Sequence, residues 1–370
     1  MAHSIKSQAG AARRTERRSS TIEPMTDTLE RTPAPDHDRL PDPAGPTDGE
    51  RARRIRVAIR ARSAELHERH PWLRHQSAIG AGILALSALG VIGTAVAYGL
   101  GALGWWLAVP LAAIFMSLAH EIEHDTIHRL YFARNRRAQD VMFAVCWLLR
   151  PYTISPWSRR PLHLLHHKVS GTEHDIEEQA ITNGQTWSAA RALMMIDPVA
   201  STFLRLPDDP GLRKLYLDYV AKAYFPLTYV ALAVWYAFLV SAAVALATGG
   251  SLPATGPLAV VGFLTVVWIA PNVLRVACLH FVSSNMHYYG DVEEGNVVQQ
   301  TQVLNRWYLA PLHLFCVNFG STHGIHHFVP GDPFYIRQAT AAAAHESMRV
   351  NGVRFNDLGT FRRANRYGRS

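Results

Sequence analysis

Histidine is the residue type that could do chemistry in this chain. Residues 120 to 128 read His120-Glu-Ile-Glu-His124-Asp-Thr-Ile-His128. A spacing of four stacks all three rings on one helical face. Neutral imidazole is the commonest metal ligand, so three rings aimed one way read as a ligand set. Two further clusters share a second pattern: His163-Leu-Leu-His166-His167 and His323-Gly-Ile-His326-His327. Between them, His280 and His287 stand two helical turns apart, with Asn285 in the same stretch. Thirteen of the nineteen histidines fall between His120 and His327. One metal needs three or four ligands, so this supply suits two transition metals with open positions. By ligand type alone these are zinc, iron or copper.

The elements that must position these rings are membrane helices. Of 370 residues, 48% are hydrophobic. Ser77 to Ala119 and Ala223 to Leu274 contain no charged residue. Each run is about twice the roughly 20 residues that one span requires. Each is broken near its middle by glycine or proline, at Gly99 to Gly104 and at Gly249 to Pro257. This predicts an all-α, polytopic membrane protein with four transmembrane helices in two hairpins. A helical cap would then carry the His-rich di-metal site. Val141 to Leu149 and Tyr308 to Phe319 are apolar but too short to span. They suit re-entrant or interfacial helices.

Residues 1–50 are rich in Pro, Arg, Ser and Asp, too polar to bury a core, and read as a disordered tail. Residues 51–76 read as a basic amphipathic juxtamembrane segment suited to anionic headgroups. Residues 77–330 form the catalytic region and 331–370 a polar tail. The hairpin turns are uncharged and the Arg and Lys residues lie elsewhere. The positive-inside rule therefore puts both termini and the histidines on the cytoplasmic side of an inner or plasma membrane. The net charge of +8 fits that topology, and no nucleic-acid partner is expected. Cys146, Cys278 and Cys316 lack paired spacing and read as small buried hydrophobes. His67, His70 and His75 read as solvated, and His313 as a buried, satisfied ring.

The three boxes, in this order and following the hairpins, resemble those of the integral-membrane fatty-acid desaturase and alkane hydroxylase superfamily, over roughly residues 77–330. The resemblance implies two non-haem irons above four membrane helices, with O2 and two electrons used to attack an unactivated C–H bond. It implies His124, His128, His163, His166, His167, His323, His326 and His327 as ligands. His287 is similar to an additional ligand of alkane hydroxylases. His120 is ambiguous, because His120 and His124 also look like a first box. His280, Asn285 and His174 are second-rank candidates. Glu121, Glu123 and Asp125 are expected to accept the free ring N–H of ligand histidines.

Desaturation, terminal hydroxylation and 1-alkene-forming decarboxylation of a fatty acid all begin with hydrogen abstraction, and the sequence leaves them open. Arg159 and Arg160 are candidate anchors for a carboxylate or phosphate head group. The chain has no cysteine cluster and no nucleotide-binding fold. Electrons are therefore expected from a separate ferredoxin or rubredoxin with its reductase, steered by Arg129, Arg134, Arg136 and Arg137. Two other classes compete for these residues. A membrane zinc protease would use His120-Glu-Ile-Glu-His124 alone. A metal transporter would need ionisable groups within the spans, and the two charge-free runs hold none.

Overall fold

The computed structural model describes residues 45–181, 184–253 and 255–368. Most of the stretch read as a disordered tail lies outside them. Residues 46–370 form one compact unit, and the regular structure among the described residues is helical apart from two isolated bridges, His287 to Thr301 and Val303 to Phe355. Helix α1 (Asp48–Arg69) is followed by α2 (Gln76–Gly99), α3 (Trp105–Ile127), α4 (Arg136–Leu149), α5 (Pro156–Val169) and α6 (Ile176–Ala180). Three short helices follow, α7 (Ala189–Ile196), α8 (Pro198–Leu204) and α9 (Pro210–Tyr224). Next come α10 (Leu227–Thr248), α11 (Gly256–Leu264) and α12 (Ala270–Met286). The chain closes with α13 (Val297–Gln300), α14 (Ala310–Leu314), α15 (Phe319–Phe328) and α16 (Phe334–Val350).

Four helices are long and apolar enough to cross a membrane: α2, α3, α10, and α11 continued through a π turn into α12. They form the two expected hairpins. Helices α2 and α3 pack closely at Gly90, which leaves no side chain against the Phe115 ring, and Gly80 makes the same room for Tyr131 just beyond α3. Small residues allow such close approach in lipid, where no hydrophobic drive joins helices. The second hairpin turns where Gly249 caps α10 in the left-handed region, φ 66°.

The second and fourth spans outrun the charge-free runs. Helix α3 continues without a break through Glu121, Glu123 and Asp125, and the fourth span carries Arg275. Ionisable groups within the spans, absent from the two runs, are therefore present. Nothing breaks either helix where its apolar stretch ends, and buried arginines answer the three carboxylates of α3.

Helix α1 begins with a capping box, Thr47 and Glu50 bonding each other's backbone N–H. Its apolar residues Ala52, Ile55 and Ile59 are spaced three and four apart and are buried with Ile325, Phe328 and Met348. That face is spent on the protein interior, so only the arginine face remains for headgroups. Residues beyond 330, read as a polar tail, contribute α16, which packs on both α1 and α15. Helix α4, the first short apolar piece, buries Phe143 and Cys146 and leaves Val141 and Leu148 exposed.

Candidate metal centre

The boxes converge because each sits at a helix end above the spans. Helix α3 delivers His124, with His128 as its C-terminal cap, and α12 delivers His287 in the same way. Helices α5 and α15 present the two His-x-x-His-His boxes. The nine rings sort into two groups: His124, His128, His163, His167 and His326, and His166, His287, His323 and His327. Within each, the candidate ligand nitrogens lie within 4.8 Å of one another. The box on α5 gives two rings to the first group and one to the second, and the box on α15 does the reverse.

The spacings fit metal coordination. In the first group, Nε2 of His128 lies 3.0 Å from those of His163 and His326, and His326 lies 2.9 Å from His167. Metal–imidazole bonds of about 2.1 Å place neighbouring octahedral ligands about 3 Å apart. In the second, His327 Nε2 stands 3.3 Å from His323 and 3.4 Å from His287, close to the edge of about 3.4 Å in a tetrahedral set. Neutral rings brought this close point lone pairs at one another, and a cation between them removes that conflict. The buried nitrogens of His124 have no hydrogen-bond partner, as suits a ring directed at a metal.

Ring orientation is set by acceptors on the Nδ1 side. His163 donates to Glu177 at 2.8 Å and His166 to Asp175 at 2.8 Å, while His287 Nδ1 donates to the Ser283 carbonyl at 3.1 Å and lies 3.1 Å from Glu178. His327 Nδ1 lies 3.2 Å from Gln300 Oε1. A carboxylate or amide oxygen can only accept, so these rings hold the proton on Nδ1 and free Nε2 for a metal. Burial, then the neighbouring rings, keeps most of the set neutral: His128 falls to about 2 and His287 to about 3. Burial works the same way on His166, but the hydrogen bond and charge of Asp175 leave it raised. Glu177 is held well below the carboxylate range: burial opposes this, and His163 and Arg159 outweigh it.

The structure places several of the expected site residues away from the two groups. His120 is outside both groups, its Nδ1 2.6 Å from Arg150 and its ring beside Phe319. The first-box pair brought together is therefore His124 and His128. No hydrogen bond joins Glu121, Glu123 or Asp125 to a ligand Nδ1, the nearest approach being His124 Nδ1 to Asp125 Oδ1 at 3.6 Å. Glu121 and Asp125 both take Arg337, at 3.1 and 3.0 Å, and Asp125 also accepts from Tyr131 and the Phe334 N–H. Glu123 pairs with Arg150 and Arg159. On a helix whose ring face is turned to the metal groups, these carboxylates point to other walls. His174 is exposed, His280 Nδ1 contacts the Met195 carbonyl at 3.1 Å, and Asn285 donates to the Phe281 carbonyl. Arg159 spends its charge on Glu123 and Glu177. Arg160 lies near Gln139 and over the Phe143 ring. His313 is buried against the Leu304 carbonyl, as expected.

Sequence reasoning missed Asp175, Glu177 and Glu178. Their signal was an acidic run beginning eight residues after the second box, Asp175-Ile-Glu-Glu. It also missed the lone arginines Arg150, Arg275 and Arg337, all fully buried. A cavity of about 260 Å³ opens beside the rings, lined by His163, His166, His287 and His323 together with Arg275 and apolar side chains including Leu162, Met194 and Leu279.

Four spanning helices capped by two convergent histidine groups define a polytopic membrane protein equipped to hold metal. The chain belongs to the fatty acid desaturase family, whose model matches residues 100–359, and family membership makes it an oxidoreductase of fatty-acid metabolism. No curated protein matches it significantly.

Proposed function

We propose that the chain is an O2-dependent di-iron enzyme that oxidises a fatty-acyl or alkyl chain, with desaturation the leading reaction. The observation that carries this is the sorting of nine imidazoles into groups of five and four, with no thiolate or carboxylate among them. Imidazole sets accept iron, zinc or copper, and the family favours iron. Two irons would supply the O2 activation needed to take hydrogen from an unactivated carbon.

The protein's own residues bind, orient and exclude water. Asp175, Glu177 and Glu178 hold the rings in register. The apolar walls of the cavity receive the alkyl chain, entering from the bilayer between helices. A zinc protease would need Glu121 free as a base, but Arg337 occupies it.

Electrons come from a separate ferredoxin- or rubredoxin-like donor. A surface depression lined by Arg129, Arg134, Arg136 and Arg160 suits an acidic partner. Both termini and the metal groups lie on the cytoplasmic face.

The test is to express the chain with an electron supply, count metals in the purified protein, and profile fatty acids and volatile hydrocarbons by mass spectrometry. About two irons per chain and a new oxidised fatty product are expected. Replacing His166 or His327 by Ala should abolish the product while membrane insertion persists, because the spans carry their own insertion energy. A single zinc, or full turnover in either variant, would overturn the reading.

A further inference from the structure

Arg275 lies in the fourth span, is 1% exposed, and lines the cavity shared with the ligand histidines. Among the described residues no hydrogen bond or ion pair reaches its guanidinium, and its Nε and one terminal nitrogen are buried without a partner. The other buried arginines of the site are answered: Arg150 by Glu123, Arg159 by Glu123 and Glu177, Arg337 by Glu121 and Asp125. None of the acidic groups lining the cavity is paired with Arg275. Glu177 holds Arg159 and His163, Glu178 holds His287, and Asp197 caps α8 and accepts from Tyr236. Arg205, also on the cavity wall, keeps Nε and one terminal nitrogen unpaired.

An unanswered buried guanidinium is strongly unfavourable, and partners or ligands normally neutralise it. Arg275, Val276, Leu279, His280, Ser283 and His287 all line this cavity, which places Arg275 and a metal-group histidine on one helix wall. The occupant that satisfies such a wall is amphiphilic, with an anionic head and an apolar body. The cavity volume of about 260 Å³ is near the lower end of ligand pockets. It accepts a carboxylate with adjoining methylenes.

We propose that Arg275 binds the carboxylate of an unesterified fatty acid inside this cavity, so that the substrate is the free acid and its head group is buried. This rests on the fatty-chain oxidation proposed above and names its substrate. Guanidinium suits a carboxylate through paired N–H donors, and Arg205 offers further donors from the same cavity. Arg159, the sequence candidate for this role, already has its charge answered by Glu123 and Glu177.

The experiment is direct binding to the purified full-length protein in nanodiscs, with palmitate, methyl palmitate and palmitoyl-CoA as probes. Palmitate should bind about tenfold or more tighter than its methyl ester, as expected for charged hydrogen bonds. Arg275→Met should erase that preference, and Arg275→Lys should keep part of it. Removing an unanswered charge should also leave Arg275→Met at least as heat-stable as the parent without ligand, while palmitate raises the melting temperature of the parent only. An undiminished preference for the acid in Arg275→Met, or tighter binding of palmitoyl-CoA than palmitate, overturns the proposal. Binding is read without turnover. Loss of iron or of oxidised product with the acid preference intact therefore counts against the catalytic reading and not against this one.

Discussion

Nδ1 of His166 donates to the Asp175 carboxylate across 2.8 Å, and both side chains are buried. The same carboxylate accepts from the Gly171 N–H at 3.1 Å and caps α6 through the Glu178 N–H. One acidic residue thus closes the loop after the second box and fixes the tautomer of a ring in the second group. His163 and Glu177 repeat the arrangement for the first group.

Asp175→Asn tests the pair. The amide can still accept from the ring but brings no charge, and the Nδ1–H is no longer compelled. Metal affinity should fall by about 10- to 100-fold, the usual cost of losing such support. Iron retained after dialysis against graded chelator measures it. Retention equal to the parent would show that Asp175 serves the loop alone.

Arg337 joins α16 to α3 through Glu121 and Asp125, with all three buried. Arg337→Met removes the cation facing both carboxylates and leaves Asp125 only Tyr131 and the Phe334 N–H, which should cost about 3–5 kcal/mol. Thermal unfolding in detergent should show a clear drop in midpoint. Replacing Glu121 by Gln in the Arg337→Met background should recover part of it. An unchanged midpoint in Arg337→Met would mean that water answers these charges.

Orientation is tested by labelling. A cysteine placed at Gly250, in the turn after α10, should react with an impermeant reagent from outside. A reporter after Ser370 should read cytoplasmic. The opposite pattern would move both histidine groups to the other face and remove the cytoplasmic electron donor with them.

Arg134, Arg136 and Arg137 are exposed beside α4. Reversing Arg136 and Arg137 to Glu should slow turnover driven by a protein donor. The parent's rate should fall as salt rises, since the screening length shrinks from about 10 Å at 0.1 M to about 3 Å at 1 M. Peroxide-driven turnover, where the enzyme accepts peroxide, should be unaffected. Equal slowing by both routes would mean that the arginines act on the site and not on docking.

The sequence by itself determined the spans and the boxes, because both are local. Hydropathy over some twenty residues decides what lipid accepts, and spacings of three and four decide which rings share a helix face. His124 and His128, and the paired boxes on α5 and α15, were legible for that reason. Only the tertiary structure decided which box feeds which group, because that depends on how α3, α5, α12 and α15 cross. It moved His120 onto Arg150 and turned Glu121, Glu123 and Asp125 toward arginines. In their place it supplied Asp175, Glu177 and Glu178 from the start of α6, a helix too short to show a periodicity. It also left Arg275 unanswered in a cavity. Whether a buried charge has a partner is a fact of three-dimensional packing, set by groups far apart in the chain.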